Sequence, residues 1–139
     1  NKILHQSKLL NYFNGDYAKS KVEEDLNKFL NKIENDKKYL LSKKDVIFLE
    51  ALKSDGIEIP QKYENLYEIN KSEMPSDIQR MVDNNEIGAA LLRIIEVISS
   101  KKIENIDDDK VYFIFNTLNQ LNADLIRNKL LLKVLPFKV

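Results

Sequence analysis

"EIGAALLRIIEVISS", residues 86–100, is the most apolar long stretch of the chain, and its surroundings decide the fold. A membrane span needs about 20 consecutive apolar residues. Here Glu86, Arg93 and Glu96 interrupt the run, which excludes a transmembrane helix. On a helical projection Ile87, Leu91, Ile94, Ile95 and Ile98 share one face, while Ala90, Leu92 and Val97 carry apolar surface well around the cylinder. What remains polar is a thin line through Glu86, Arg93, Glu96 and Ser100. This pattern predicts a central helix covered by neighbours. Gly88, Ala89 and Ala90 are small enough to let one of them approach closely. The stretch is expected to be core.

The same helical period runs outward on both sides. In "SKVEEDLNKFLNKIEN" (20–35), Val22, Leu26, Phe29, Leu30 and Ile33 fall at i, i+4, i+7, i+8 and i+11. They form a narrow apolar stripe, with Ser20 the expected N-cap. Before it, "KILHQSKLLNYFNG" (2–15) reads as a shorter helix closed by Gly15. After it, "LLSKKDVIFLEALKSDG" (40–56) carries Ser42 and, three residues on, Asp45, a capping box with aspartate in place of glutamate. Val46, Phe48, Leu49, Ala51 and Leu52 supply its buried face. Gly56 stands where a left-handed stop belongs.

Residues 57–75 are the least regular part and are expected to connect two halves, 1–56 and 76–139. Pro60 can open a short turn carrying Tyr63, Leu66 and Tyr67, and Pro75 can open the next helix. "PSDIQRMVDNN" ends at paired asparagines. Asp107 is an expected N-cap, with Asp108 and Asp109 in the first turn, where the helix dipole favours negative charge. Asn122 interrupts the run that follows, and Asp124 begins the last helix. With 3 glycines and 3 prolines in 139 residues and almost no period-2 alternation, the chain is expected to be all-α. Six to eight helices in antiparallel pairs would form a bundle or short α-solenoid.

The helix pairs from residue 76 onward resemble tetratricopeptide-like and other α-solenoid repeats in architecture. No self-match at that family's period of about 34 residues accompanies the likeness. It therefore implies an arrangement of helices and no binding residues.

Composition narrows function. Lys+Arg is 22 and Asp+Glu is 22, so no net field attracts phosphate backbones or anionic lipid. Of the 22 cations, three (Arg80, Arg93, Arg127) are arginine, which leaves 19 lysines scattered along helix faces in runs no longer than pairs such as Lys37-Lys38 and Lys101-Lys102. Arginine is the side chain that reads phosphates and base edges, so nucleic acid is not an expected partner. The chain has no cysteine for a disulfide or thiolate chemistry, and hydrophobic residues at 43% can supply a core without either. It starts at Asn1, which points to a removed leader or to an excerpt of a longer protein.

No glycine-rich phosphate loop, GxSxG, HExxH or CxxC occurs. His5, the single histidine, has no candidate co-ligand nearby and is expected at the surface. "IDDDK" lacks the glycine and distal glutamate of an EF-hand and reads as a capped helix start. Asn70-Lys71-Ser72 matches a glycosylation sequon by chance in an asparagine-rich chain. No cofactor, metal or catalytic residue is expected.

Two features lean towards binding. The line Asp109, Phe113, Asn116, Gln120 is polar except for its phenylalanine. The last helix has no clean water face, since Leu125, Ile126, Leu130, Leu131, Leu132, Val134 and Leu135 point nearly all round. Leu131 and Leu135 align with Asp124 and Asn128, while Ile126, Leu130 and Val134 occupy another side, so two apolar contacts are needed. Phe113, Asn116, Gln120, Leu131 and Leu135 are therefore the candidate interaction residues. The expected function is a non-enzymatic helical module for protein–protein interaction, self-association or assembly. The alternative is a helical binder of a small apolar ligand or lipid, suggested by 12 aromatics (6 Tyr and 6 Phe) and the apolar helices at 86–99 and 123–135.

Overall fold

Among the described residues four with positive φ punctuate the chain: Gly15 at 82°, Gly56 at 88°, Asn85 at 58° and Asn122 at 56°. Each closes a helix in the same way. The amide after the left-handed residue reaches back five positions, and that residue's own amide reaches back three, as in Ile57 N to Leu52 O (3.1 Å) with Gly56 N to Lys53 O (3.0 Å). Ala123 N to Leu118 O (3.0 Å) with Asn122 N to Asn119 O (3.2 Å) repeats the pattern. These double hydrogen bonds satisfy carbonyls that a helix end would leave bare. Glycine and asparagine hold these positions because they tolerate the left-handed conformation.

The computed structural model describes residues 4–36, 41–66, 76–99 and 107–135. Within them lie six α-helices, α1 (Lys19–Asn35), α2 (Lys43–Ser54), α3 (Ser76–Asp83), α4 (Ile87–Ser99), α5 (Asp108–Gln120) and α6 (Asp124–Val134), and the 3-10 segments Leu4–Gln6, Lys8–Asn14 and Gln61–Leu66. No strand occurs among the described residues, and the all-α class holds. The helix expected over 2–15 is thus two 3-10 segments. Tyr67, the sequon at Asn70, Pro75 and the lysine pairs at 37–38 and 101–102 lie outside the described residues.

Local signals explain the starts of α2 and α5. The capping box of α2 forms in both directions: Ser42 Oγ accepts from Asp45 N at 3.2 Å, and Asp45 Oδ2 accepts from Ser42 N at 3.0 Å. Asp107 caps α5 by accepting from Lys110 N at 3.1 Å. The start of α1 differs from expectation, since the N-cap is Ala18, with no side-chain cap, and Ser20 is exposed one residue inside the helix. The Lys19 ammonium at this start donates to Asp55 O at 2.8 Å, so a tertiary contact stands where a local cap was predicted.

The core is centred on α2, not on α4. Asp45, Val46, Ile47, Phe48, Leu49, Ala51 and Leu52 are all buried. α2 packs along α5; α5 carries α3 on one side and α6 on the other, and α4 packs on α3. α3–α4 and α5–α6 form helical hairpins. The segment Lys8–Asn14 contacts both α1 and α6, and Phe13 meets Phe48 edge-on at 5.6 Å. One buried cluster accordingly joins residues from both halves of the chain, from Leu4 to Leu135.

Over its described side chains the opening stretch is consequently an outer helix. Ala90 and Ile94 are buried, but Ile87 is 42% exposed and Leu92 62% exposed. A Cβ added at Gly88 would meet nothing within 4 Å, so no neighbour makes the predicted close approach. The side chains of Ile95, Val97 and Ile98 lie outside the described set. Apolar periodicity says which faces avoid water, but not which neighbours are present to cover them.

Candidate functional site

The line Asp109, Phe113, Asn116, Gln120 belongs to α5. Phe113 is half-buried and packs against the core. Gln120 exchanges amide hydrogen bonds with Gln79 of α3 in both directions, at 3.1 and 3.3 Å, and donates to Asn116 Oδ1 at 3.4 Å. The stripe thus joins α3 to α5. Lys43 of α2 pairs with Asp109 at 3.5 Å and lies over the Tyr112 ring, 5.2 Å from its centroid.

On α6, Leu131 and Leu135 are completely buried among the chain's own residues, and Val134 nearly so. The side that carries them is covered inside the fold. Neither leucine is available at the surface of this chain. The exposed apolar positions of α6 are instead Leu125, at 81%, and Ile126, at 52%.

Arg127 is the largest fully buried side chain described, a role the sequence reading missed. Its Nη2 donates to Asp55 Oδ2 at 2.8 Å and Nη1 to Asn119 Oδ1 at 3.2 Å. Asn128 Oδ1 accepts from Nε and Nη2 at 3.1 and 2.8 Å, and the Phe13 ring lies 5.9 Å from the guanidinium carbon. Tyr12 Oη donates to the same Asp55 Oδ2 at 2.8 Å. Burial, with the hydrogen bond to Asp55 behind it, raises the Tyr12 phenol well above its usual range. This cluster ties Lys8–Asn14, the C-terminal end of α2, α5 and α6 together. An arginine set in a helix apolar nearly all round was the available signal; Asp55, 72 residues away, had none.

His5 corrects another expectation. It is buried, and Asp45 Oδ1 accepts from both its backbone N (2.9 Å) and its Nδ1 (2.6 Å). An ionised carboxylate can only accept, so Nδ1 carries the hydrogen in this contact. Burial pushes the Asp45 carboxyl up, but hydrogen bonds from the His5 side chain and from the Ser42 and His5 backbones outweigh it and hold the group below the usual carboxylate range. The 3-10 turn puts Leu4 in the core and His5 over α2, a placement that helical periodicity does not encode. Ser7, the nearest hydroxyl in sequence, is committed to the backbone: it donates to Leu4 O at 2.7 Å and accepts from Leu9 N at 3.3 Å. An oriented imidazole is present without a free hydroxyl beside it in the chain.

A third pair lies nearer the surface. Tyr17 Oη donates to the Asp25 carboxylate, which also faces Lys21 at 3.5 Å and Lys8 at 3.9 Å. The Tyr17 hydrogen bond lowers Asp25, and the same bond raises the Tyr17 phenol to about 12.

Among the described residues no group of three or more His, Asp or Glu could hold a metal ion, and no helix is long and apolar enough to cross a membrane. An open groove of about 590 Å³ runs between α1 and residues 53–61, lined by Glu23, Asn27, Lys53, Glu58, Ile59 and neighbouring residues. No family profile matches the chain, and neither the curated proteins nor the solved structures searched contain a match.

Proposed function

We propose that this chain is a helical protein-interaction or assembly module with no catalytic chemistry of its own. The observation that carries the reading is the adjacent pair Leu125 and Ile126, both open to water at the start of α6. Scattered single apolar residues are normal on a surface, and it is as they join into larger contiguous patches that they mark contact sites. Covering such side chains is worth roughly 25 cal/mol for each Å² removed from water. The polar groups that could have suggested chemistry, Arg127, Asp55, Asp45 and Ser7, are engaged inside the fold. A small apolar ligand is favoured less, because the groove beside α1 is lined by Glu23, Lys53 and Glu58.

The test is size-exclusion chromatography with light scattering, together with chemical cross-linking in native extract, on the wild type and on the double variant Leu125→Glu, Ile126→Lys. Association should disappear in the variant while stability stays within about 0.5 kcal/mol of wild type, as for surface changes. A wild type that is monomeric at every concentration, with cross-links unaltered by the substitutions, overturns the proposal.

A further inference from the structure

The groove beside α1 carries an inference that uses none of the residues of the preceding proposal. Its volume of about 590 Å³ lies within the range of roughly 300–1,000 Å³ of ligand sites. Asn27, in its wall, has a buried side-chain oxygen with no hydrogen-bond partner. A buried polar atom left unpaired is costly, and each one in a folded protein calls for an explanation. Opposite, the chain leaves α2 through Gly56 and runs without helical structure from Ile57 to Pro60. Ile57 N is held by Leu52 O, and Pro60 O accepts from Tyr63 N. Between these anchors the backbone amides of Glu58 and Ile59 bond to no described residue. The lining includes two carboxylates, Glu23 and Glu58, and one ammonium, Lys53, and neither carboxylate forms an ion pair with a described residue. The groove therefore offers unpaired main chain on one side, an unpaired side-chain oxygen on the other and a net negative charge.

We propose that this groove binds a short basic peptide segment of a partner protein in extended form. A peptide main chain presents N–H and C=O groups in alternation. It can serve Asn27 and one of the open amides of Glu58 and Ile59, since successive N–H groups of an extended chain point to opposite edges, as in recognition by strand addition. A simple cation would satisfy the carboxylates and the Asn27 oxygen but not the two amides. Lysine or arginine side chains on the segment meet Glu23 and Glu58.

The probe is a blocked hexapeptide of alternating lysine and valine, titrated into the ¹⁵N-labelled chain and followed by NMR, with the glutamate–valine counterpart as control. Saturable shifts should appear at the amides of Glu58 and Ile59 and at the Asn27 side chain with the basic peptide alone. Ile59→Pro, which removes one donor, should weaken binding about five- to tenfold, the worth of one hydrogen bond. Asn27→Leu should raise the melting temperature of the free chain while weakening the peptide, which a purely structural residue would not do. Glu58→Lys should shift preference towards the acidic peptide, and it serves if Ile59→Pro fails to fold. Absence of saturable shifts at millimolar peptide, equal binding of both peptides, or affinity unchanged in Asn27→Leu and Glu58→Lys overturns the proposal. Loss of association in the Leu125, Ile126 variant leaves this result unaffected, so the two proposals fail separately.

Discussion

The guanidinium of Arg127 and the carboxylate of Asp55 meet at 2.8 Å in the interior, joining the end of α2 to the last helix across 72 residues of chain. Arg127 is wholly buried and Asp55 nearly so. Removing one partner of such a pair leaves a charge in a poor solvent and costs about 3–5 kcal/mol. Asp55→Ala should therefore lose stability on that scale in urea unfolding. Tyr12→Phe, which deletes a hydrogen bond to the same carboxylate, should lose about 1 kcal/mol. The two effects should be non-additive in a double-mutant cycle, because they share Asp55.

Acid should act through Asp45. Its folded pKa lies below the unfolded value, so its contribution is fully present above about pH 4. It is lost as the pH falls through the lower, folded value. Melting temperatures measured between pH 7 and pH 3 should fall for the wild type and fall less steeply for Asp45→Asn, which starts lower because its new amide meets the Ser42 and His5 donors. Equal slopes would mean that Asp45 does not carry the acid sensitivity.

Alkali should act through Tyr17. Its folded pKa of about 12 stands above the model-peptide value of 10, so the folded state keeps a proton that the unfolded chain gives up. That contribution is present below pH 10 and is lost as the pH rises towards 12. In an ultraviolet titration of the tyrosines, Tyr17→Phe should remove one late-ionising group. A difference spectrum confined to pH 9–10 would contradict the Tyr17–Asp25 contact.

Glycine positions separate backbone from packing. Gly56 has φ 88° and open space where a Cβ would stand, so Gly56→Ala should cost about 1–2 kcal/mol through the left-handed backbone alone. Gly88, in the first turn of α4 with equally open space, should behave oppositely, with Gly88→Ala adding about 0.5 kcal/mol of helix stability. A destabilised Gly88→Ala in chemical denaturation would restore the close approach that the sequence alone predicts.

The two apolar sides of α6 should respond differently. Leu131→Ala, at a fully buried site, should cost about 2–5 kcal/mol. Leu125→Ala, at an exposed one, should leave the unfolding midpoint nearly unchanged. Similar losses at both positions would mean that Leu125 is covered in the isolated chain.

The sequence by itself determined what is local. The capping box at Ser42, the cap at Asp107 and the left-handed stop at Gly56 depend on hydrogen bonds within about six residues and were legible in the order of side chains, as were the helix ends at Gly15, the paired asparagines and Asn122, though not their left-handed backbone. So was the all-α class, because a 3.6-residue apolar period is a property of each segment alone. Tertiary structure decided the rest. It made α2 central and α4 peripheral, since burial depends on which neighbours arrive, and both helices are apolar over most of their surface. Asp55 stands opposite Arg127, and Asp45 opposite His5, by contacts spanning 72 and 40 residues that no spacing rule anticipates. For the same reason the apolar residues of the last helix left in water are Leu125 and Ile126 rather than Leu131 and Leu135. The pattern fixes the angle between side chains on one helix, and only the packed neighbours fix which angle faces inward.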